Sequence, residues 1–218
     1  MKQLKTAATV AAFLIVIGML IHNLNGRYLE PTFLGFENPM DYADMAKIEN
    51  ALWSFSFLSS GISHMVVGFS FMILGLFLSE YFKKALPIGA KLTFIAAMLA
   101  GLGFLLTGIS DIPGTLYGQL LREQNPDFNT NILLMTTIFR GVVNVLAIVG
   151  LGWFAGQVAW CGRRSGTFST GFAVFGYINV LPGIASLIFP PAGFAYIQLL
   201  PLWMLWLGLR LRQLPDSS

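Results

Sequence analysis

Six long apolar runs constrain this chain more than any other feature. They lie near residues 6–24, 54–79, 88–110, 132–159, 168–189 and 193–209. Each approaches or exceeds the roughly 20 residues a helix needs to cross bilayer hydrocarbon. Backbone polar groups find no water there, so only helices and closed barrels are viable, and the runs lack the alternation of barrel strands. Only 11% of residues are charged, against about 25% in soluble domains. The expected fold is therefore all-α: a polytopic membrane helical bundle with six transmembrane helices, residues 1–218 forming a single membrane domain.

The first run needs a separate argument, because "MKQLKTAATVAAFLIVIGMLI" has the basic start and apolar stretch of a secretory signal. Its apolar part continues to about Leu24 and no A-x-A-like cleavage site follows, so it reads as a retained span. Lysine and arginine then orient the bundle. Placing both termini in the cytoplasm collects Lys2, Lys5, Lys83, Lys84, Lys91, Arg163, Arg164, Arg210 and Arg212 on that side, nine of the 13 basic residues. Arg27, Lys47 and Arg122 fall outside, and Arg140 lies within the fourth run. This is the positive-inside pattern, and a bacterial inner (plasma) membrane is the expected location. The net charge of +3 is accounted for by helix-end residues and does not imply nucleic acid. The lipid bilayer is the expected partner.

Two outer connections are long, residues 25–53 and 111–131, and they carry the acidic residues Glu30, Glu37, Asp41, Asp44, Glu49, Asp111, Glu123 and Asp127. Asp41 through Trp53 is expected to form a short interfacial helix, and a second short helix is expected between the turn signals of "DIPGTLYGQLLREQNPDF". Loop residues spent on the outer face suggest binding or docking there. Gly61, Gly68 and Gly75 recur every seven residues, and Ala97/Gly101 and Gly152/Gly156 are small-xxx-small pairs. These are surfaces for close helix contact, within the chain or with a membrane-protein partner. The single cysteine, Cys161, excludes an intrachain disulfide. An offset of 80 residues aligns "SGISH" with "RGVVN" too weakly to establish a repeat. Pro182 is expected to kink the fifth span.

Function should show in the polar residues inside the runs. These are His22 and Asn23; Ser56, Ser59, Ser60, Ser63 and His64; Thr107, with Asp111 just beyond; Arg140 and Asn144; Asn179; and Gln198. Counting helical rise from the basic anchors puts His22 about 25 Å from Lys5 and His64 about 28 Å from Lys83. By the same rule Asp111 lies about 30 Å from Lys91, Arg140 about 34 Å and Asn144 about 28 Å from Arg163, and Asn179 about 22 Å from Arg164. Most therefore cluster toward the outer face of a layer about 30 Å thick.

Arg140 is accordingly expected near the outer boundary, either snorkelling or paired with Asp111. The functional alternative is an anion-binding or substrate-orienting arginine in an outward-facing polar pocket with Asn144, His64, Asn179 and Asp111, taking a small ligand or transported solute. Two other classes stand beside it. One is a non-catalytic accessory subunit of a membrane complex. The other is an enzyme or single-haem protein using His22 and His64, the only histidines. No cofactor is expected otherwise; haem b enters only through that pair, and no catalytic residue or metal cage is identified.

Overall fold

The computed structural model describes residues 1–37, 41 and 44–215, and every regular element among them is helical. Four stretches are long and apolar enough to cross a membrane: Lys2–Leu34, Phe55–Phe82, Pro87–Gln124 and Pro126–Arg164. Three of them run well past the apolar runs that marked them, because helical structure continues into the segments read as outer loops, whereas Phe55–Phe82 keeps nearly the bounds of its run.

The first stretch begins as α1 (Lys2–Leu24), widens into a π-helical turn (Asn25–Leu29) and continues as α2 (Glu30–Leu34). Gly35 ends it in the left-handed conformation, φ 69°, which a side chain would strain. Pro31 does not break the helix because it falls in the first turn of α2, where a missing N–H matters least. The stretch expected to form a short helix gives α3 (Met45–Ala51), capped by Asp44, whose carboxylate accepts from the Ala46 and Lys47 amides. Residues 38–40, 42 and 43 of that loop lie outside the described residues.

After it come α4 (Phe55–Phe82), capped by the Ser54 hydroxyl, and α5 (Pro87–Ile109). A second π-helical turn (Ser110–Gly114) joins α5 to α6 (Thr115–Gln124), the expected short outer helix. The longest helix is α7 (Asn129–Arg164). The remaining two runs give shorter helices: α8 (Thr170–Ile178) with α9 (Val180–Ala185), then a 3-10 segment (Pro190–Ala195) and α10 (Tyr196–Gln213). The break between α8 and α9 falls at Asn179, one turn before Pro182, the residue expected to kink this run. Proline cannot supply the amide that would bond the carbonyl of Ile178, so the helix changes course one turn upstream.

Packing neighbours follow the chain: α1 against α4, α4 against α5, α5 against α7, and α7 against α8 and α9. α10 closes the arrangement on α1. The small residues make these approaches possible. A methyl group on Gly101 would sit 2.8 Å from the Gly68 carbonyl oxygen, and one on Gly75 2.3 Å from the Ala97 methyl. The glycine seam of α4 and the small pair of α5 therefore face each other. Gly152 of the second small pair is likewise consumed internally, against Gly183 and Tyr196.

The interior is a column of aromatic rings. Phe104 stacks on Phe71, Phe71 meets Phe154 edge-on, and Phe154 meets Trp203, at centroid separations of 5.8, 5.4 and 6.4 Å. Trp203 then stacks on Phe172. Such rings bury large apolar areas in preferred offset and edge geometries. Where the column passes Phe104, it meets His64 at 6.2 Å and the interior turns polar.

Candidate functional site

The polar end is assembled from five helical elements. Along α4, Ser56, Ser60 and His64 follow one another at intervals of four residues, so they share a face. α1 contributes His22, and its π-helical continuation contributes Asn25. Asp111 comes from the turn after α5, and Arg140 from α7. That turn has an identifiable cause. Pro113 has no amide for a helical bond, so the helix widens at Ser110–Gly114, and the Thr115 hydroxyl donates to the Asp111 carbonyl at 2.7 Å. The widening leaves Asp111 buried, only 1% exposed.

Both oxygens of the Asp111 carboxylate are engaged. Arg140 Nε donates to Oδ1 at 2.6 Å, and His64 Nδ1 lies 2.9 Å from Oδ2. The Arg140 and His64 side chains are 11% and 12% exposed, so this is an enclosed charge cluster. Removing each ion from water costs several kcal/mol, which only close, fully satisfied partners offset. A carboxylate on Nδ1 favours the His64 tautomer with its proton there, leaving Nε2 as an acceptor. The His22 ring packs on His64 with centroids 4.8 Å apart and a 46° tilt. His22 Nδ1 is buried, and among the described residues it has no hydrogen-bond partner.

A second polar group adjoins the first along α4. Asn25 Nδ2 is within hydrogen-bond reach of the Ser56 carbonyl (2.9 Å) and the Ser59 and Ser60 hydroxyls (2.8 and 3.0 Å). Ser60 Oγ in turn donates to Glu30 Oε1 at 3.0 Å, and Glu30 is 1% exposed. Two buried carboxylates, Asp111 and Glu30, are thus connected through one face of α4.

Of the residues singled out in the sequence, His64, Asp111 and Arg140 meet directly, and His22 joins them. Asn144 is on the exposed surface of α7. Asn179 is fully buried at the α8–α9 break, where its Nδ2 donates to the Phe175 carbonyl and its own carbonyl accepts from the Tyr196 hydroxyl. Sequence reasoning missed Asn25 and Glu30, which it assigned to a loop. The signal for them was the serine-rich face of α4, whose hydroxyls required buried partners.

Over the polar end lie α3 and α6, joined by an ion pair between Glu49 and Arg122. Lys47 donates to Asp41 at 2.6 Å, and that hydrogen bond raises the lysine pKa above its ordinary value. An apolar cavity of about 330 Å³, lined by Met45, Ser110, Leu121, Met135 and Phe139, borders the π-helical turn that carries Asp111, without Asp111 or Arg140 in its lining.

As arranged in this structure, the histidine pair does not present two axial ligands: the rings touch, with centroids 4.8 Å apart, instead of facing each other across a macrocycle. Among the described residues no three His, Cys, Asp or Glu side chains converge as a metal cage. No family model, no curated protein and no solved structure matches the chain.

Proposed function

We propose that this chain is a six-span protein of a bacterial inner membrane, with both termini cytoplasmic, and that its buried cluster binds a small anionic ligand or transported solute from the outer side. Two features support the span count. α8–α9 covers 16 residues from Thr170 to Ala185 and α10 covers 18, about 24 and 27 Å of helical rise, enough for short or locally thinned spans. The basic residues gather at the opposite end from the cluster, which supports the orientation.

One observation carries the ligand reading: side chains from separate helices converge on Asp111, and His22 Nδ1 is left beside them, buried and, among the described residues, unpartnered. A purely structural staple needs only the Arg140–Asp111 pair. Arg140 and the imidazoles of His64 and His22 gather N–H donor capacity around Asp111, which favours a ligand rich in hydrogen-bond acceptors, such as an anion. The adjoining apolar cavity would accommodate the uncharged part of the same molecule.

The ligand test uses inorganic phosphate and succinate as probes against the purified protein in detergent. At least one is expected to raise Tm saturably. His22→Phe preserves the ring and removes its nitrogens, and Arg140→Lys preserves the charge; both should weaken the effect by about tenfold, one good hydrogen bond. A probe response unchanged in both variants would remove the pocket reading. Topology is tested separately on a Cys161→Ala background. An impermeant maleimide on intact cells should label Tyr117→Cys, and should label Lys2→Cys only after permeabilisation. The reverse pattern would invert the orientation.

A further inference from the structure

Among the described residues the core has two parts. One is the aromatic column of the bundle; the other, smaller, includes Phe36, Ile48, Leu52 and Phe57, with Ile112 packed on it. His64 meets Phe104 of the first, whereas Asp111 is followed in the chain by Ile112 of the second. Ile112 also covers α4 one turn before His64. A methyl group on Gly61 would stand 2.8 Å from the Ile112 side chain and 3.4 Å from the Asp111 Cβ. The charged cluster therefore lies between the two cores, and the smaller one closes it toward the outer side. α3 supplies much of that closure through Met45 and Ile48, both buried. Glu49, on the same helix, pairs with Arg122 of α6.

We propose that α3 is a gate over the charged cluster, latched by the Glu49–Arg122 ion pair. The inference rests on reading that cluster as a ligand site entered from the outer side, because an enclosed site exchanges ligand only when a covering element moves. Of the elements that build the smaller core, α3 alone stands outside the four membrane-crossing stretches. Leu34 belongs to Lys2–Leu34, Phe57 to Phe55–Phe82, Ile112 to Pro87–Gln124 and Leu133 to Pro126–Arg164. Displacing α3 therefore shifts no span. Its attachments suit such motion: Gly35 before it is left-handed at φ 69° with open space around it, and residues 52–54 alone join it to α4. The buried underside of α3 makes the closed state the resting one. The latch is built to part. Arg122 also donates to Asn129 Oδ1 at 3.3 Å, but its Nε is buried and has no partner among the described residues. An incompletely bonded ion pair repays less of its desolvation, so it separates more readily than a fully satisfied one.

The experiment measures how fast a thiol behind the gate reacts with sulfonatoethyl methanethiosulfonate, using full-length Cys161→Ala protein in phosphatidylcholine nanodiscs. Ser60→Cys places that thiol on α4 beside Glu30, and Ser70→Cys, buried ten residues further along the same helix, is the control. Both should react slowly. Arg122→Glu sets two carboxylates against each other and should raise the rate at Ser60→Cys about tenfold, the worth of one charged hydrogen bond. The rate at Ser70→Cys should not change. Glu49→Arg combined with Arg122→Glu restores the pair with its charges exchanged and should return Ser60→Cys to slow reaction. An unchanged rate at Ser60→Cys in Arg122→Glu overturns the gate. So does a rate that rises equally at Ser70→Cys, which means general loosening, or one that stays high with the exchanged pair, which makes Arg122 a packing residue. The ligand reading fails separately: if the latch controls labelling while neither phosphate nor succinate raises Tm, the gate stands and the anion site does not.

Discussion

Asp111→Ala is expected to cost about 3–5 kcal/mol of stability, the largest single loss at the polar end. The substitution deprives Arg140, whose side chain is 11% exposed, of the carboxylate that accepts from its Nε. It also removes the acceptor that holds His64. The penalty comes from the charge left behind more than from the bond lost, and this has a testable consequence. Arg140→Met in the Asp111→Ala background removes that charge, so the double variant should recover much of the loss. Equilibrium unfolding in mixed detergent micelles provides the comparison. If the double variant is as unstable as Asp111→Ala, the cost lies in packing around the π-helical turn and the charge argument is wrong. Recovery of stability without recovery of anion binding would separate the structural from the functional role of Arg140.

The meeting of His64, Asp111 and Arg140 was legible, with His22 expected only beside His64, because it rests on two simple quantities. Helical rise is constant, and basic residues mark one end of each span, so groups at similar counts from their anchors stand at similar depth. Depth alone does not give azimuth. Asn144 shares the level but is exposed on α7, and Asn179 is held at a helix break by Phe175 and Tyr196. Which way a residue faces depends on how neighbouring helices are rotated, and that is set by close glycine contacts such as Gly68 on Gly101.

Asn25 and Glu30 were hidden for a different reason. "HNLNGRYLEP" contains the glycine, asparagine and proline that normally announce a helix end. Here a π-helical turn absorbs the irregular residues and α1 passes almost directly into α2. The same device operates at Pro113, where it leaves Asp111 buried. Both widenings lie at the polar end, and each supplies a carboxyl or amide group to it. Local propensity is overridden because buried hydrogen bonds compensate the altered helix geometry.

The spacing that lets Arg140 reach Asp111 is itself set two turns deeper, at the α5–α7 contact, and Gly103→Ala should disturb it. A methyl group on Gly103 would stand 2.4 Å from the backbone nitrogen and Cα of Ala147. A methyl group on Gly150 would meet the Ala100 backbone nitrogen at 2.5 Å, so the two helices touch along successive turns. Because the obstacle is backbone, relief requires the helices to separate, at a cost of about 1–3 kcal/mol or more. Gly141 on α7 has nothing within 4 Å of its would-be methyl. Gly141→Ala should therefore be neutral or stabilising by up to about 1 kcal/mol through helix propensity. If helix spacing sets the ion pair, the coupling energy between Asp111 and Arg140, measured by a double-mutant cycle, should fall in the Gly103→Ala background and persist in Gly141→Ala. Undiminished coupling in both backgrounds would mean that the pair is positioned by the π-helical turn alone.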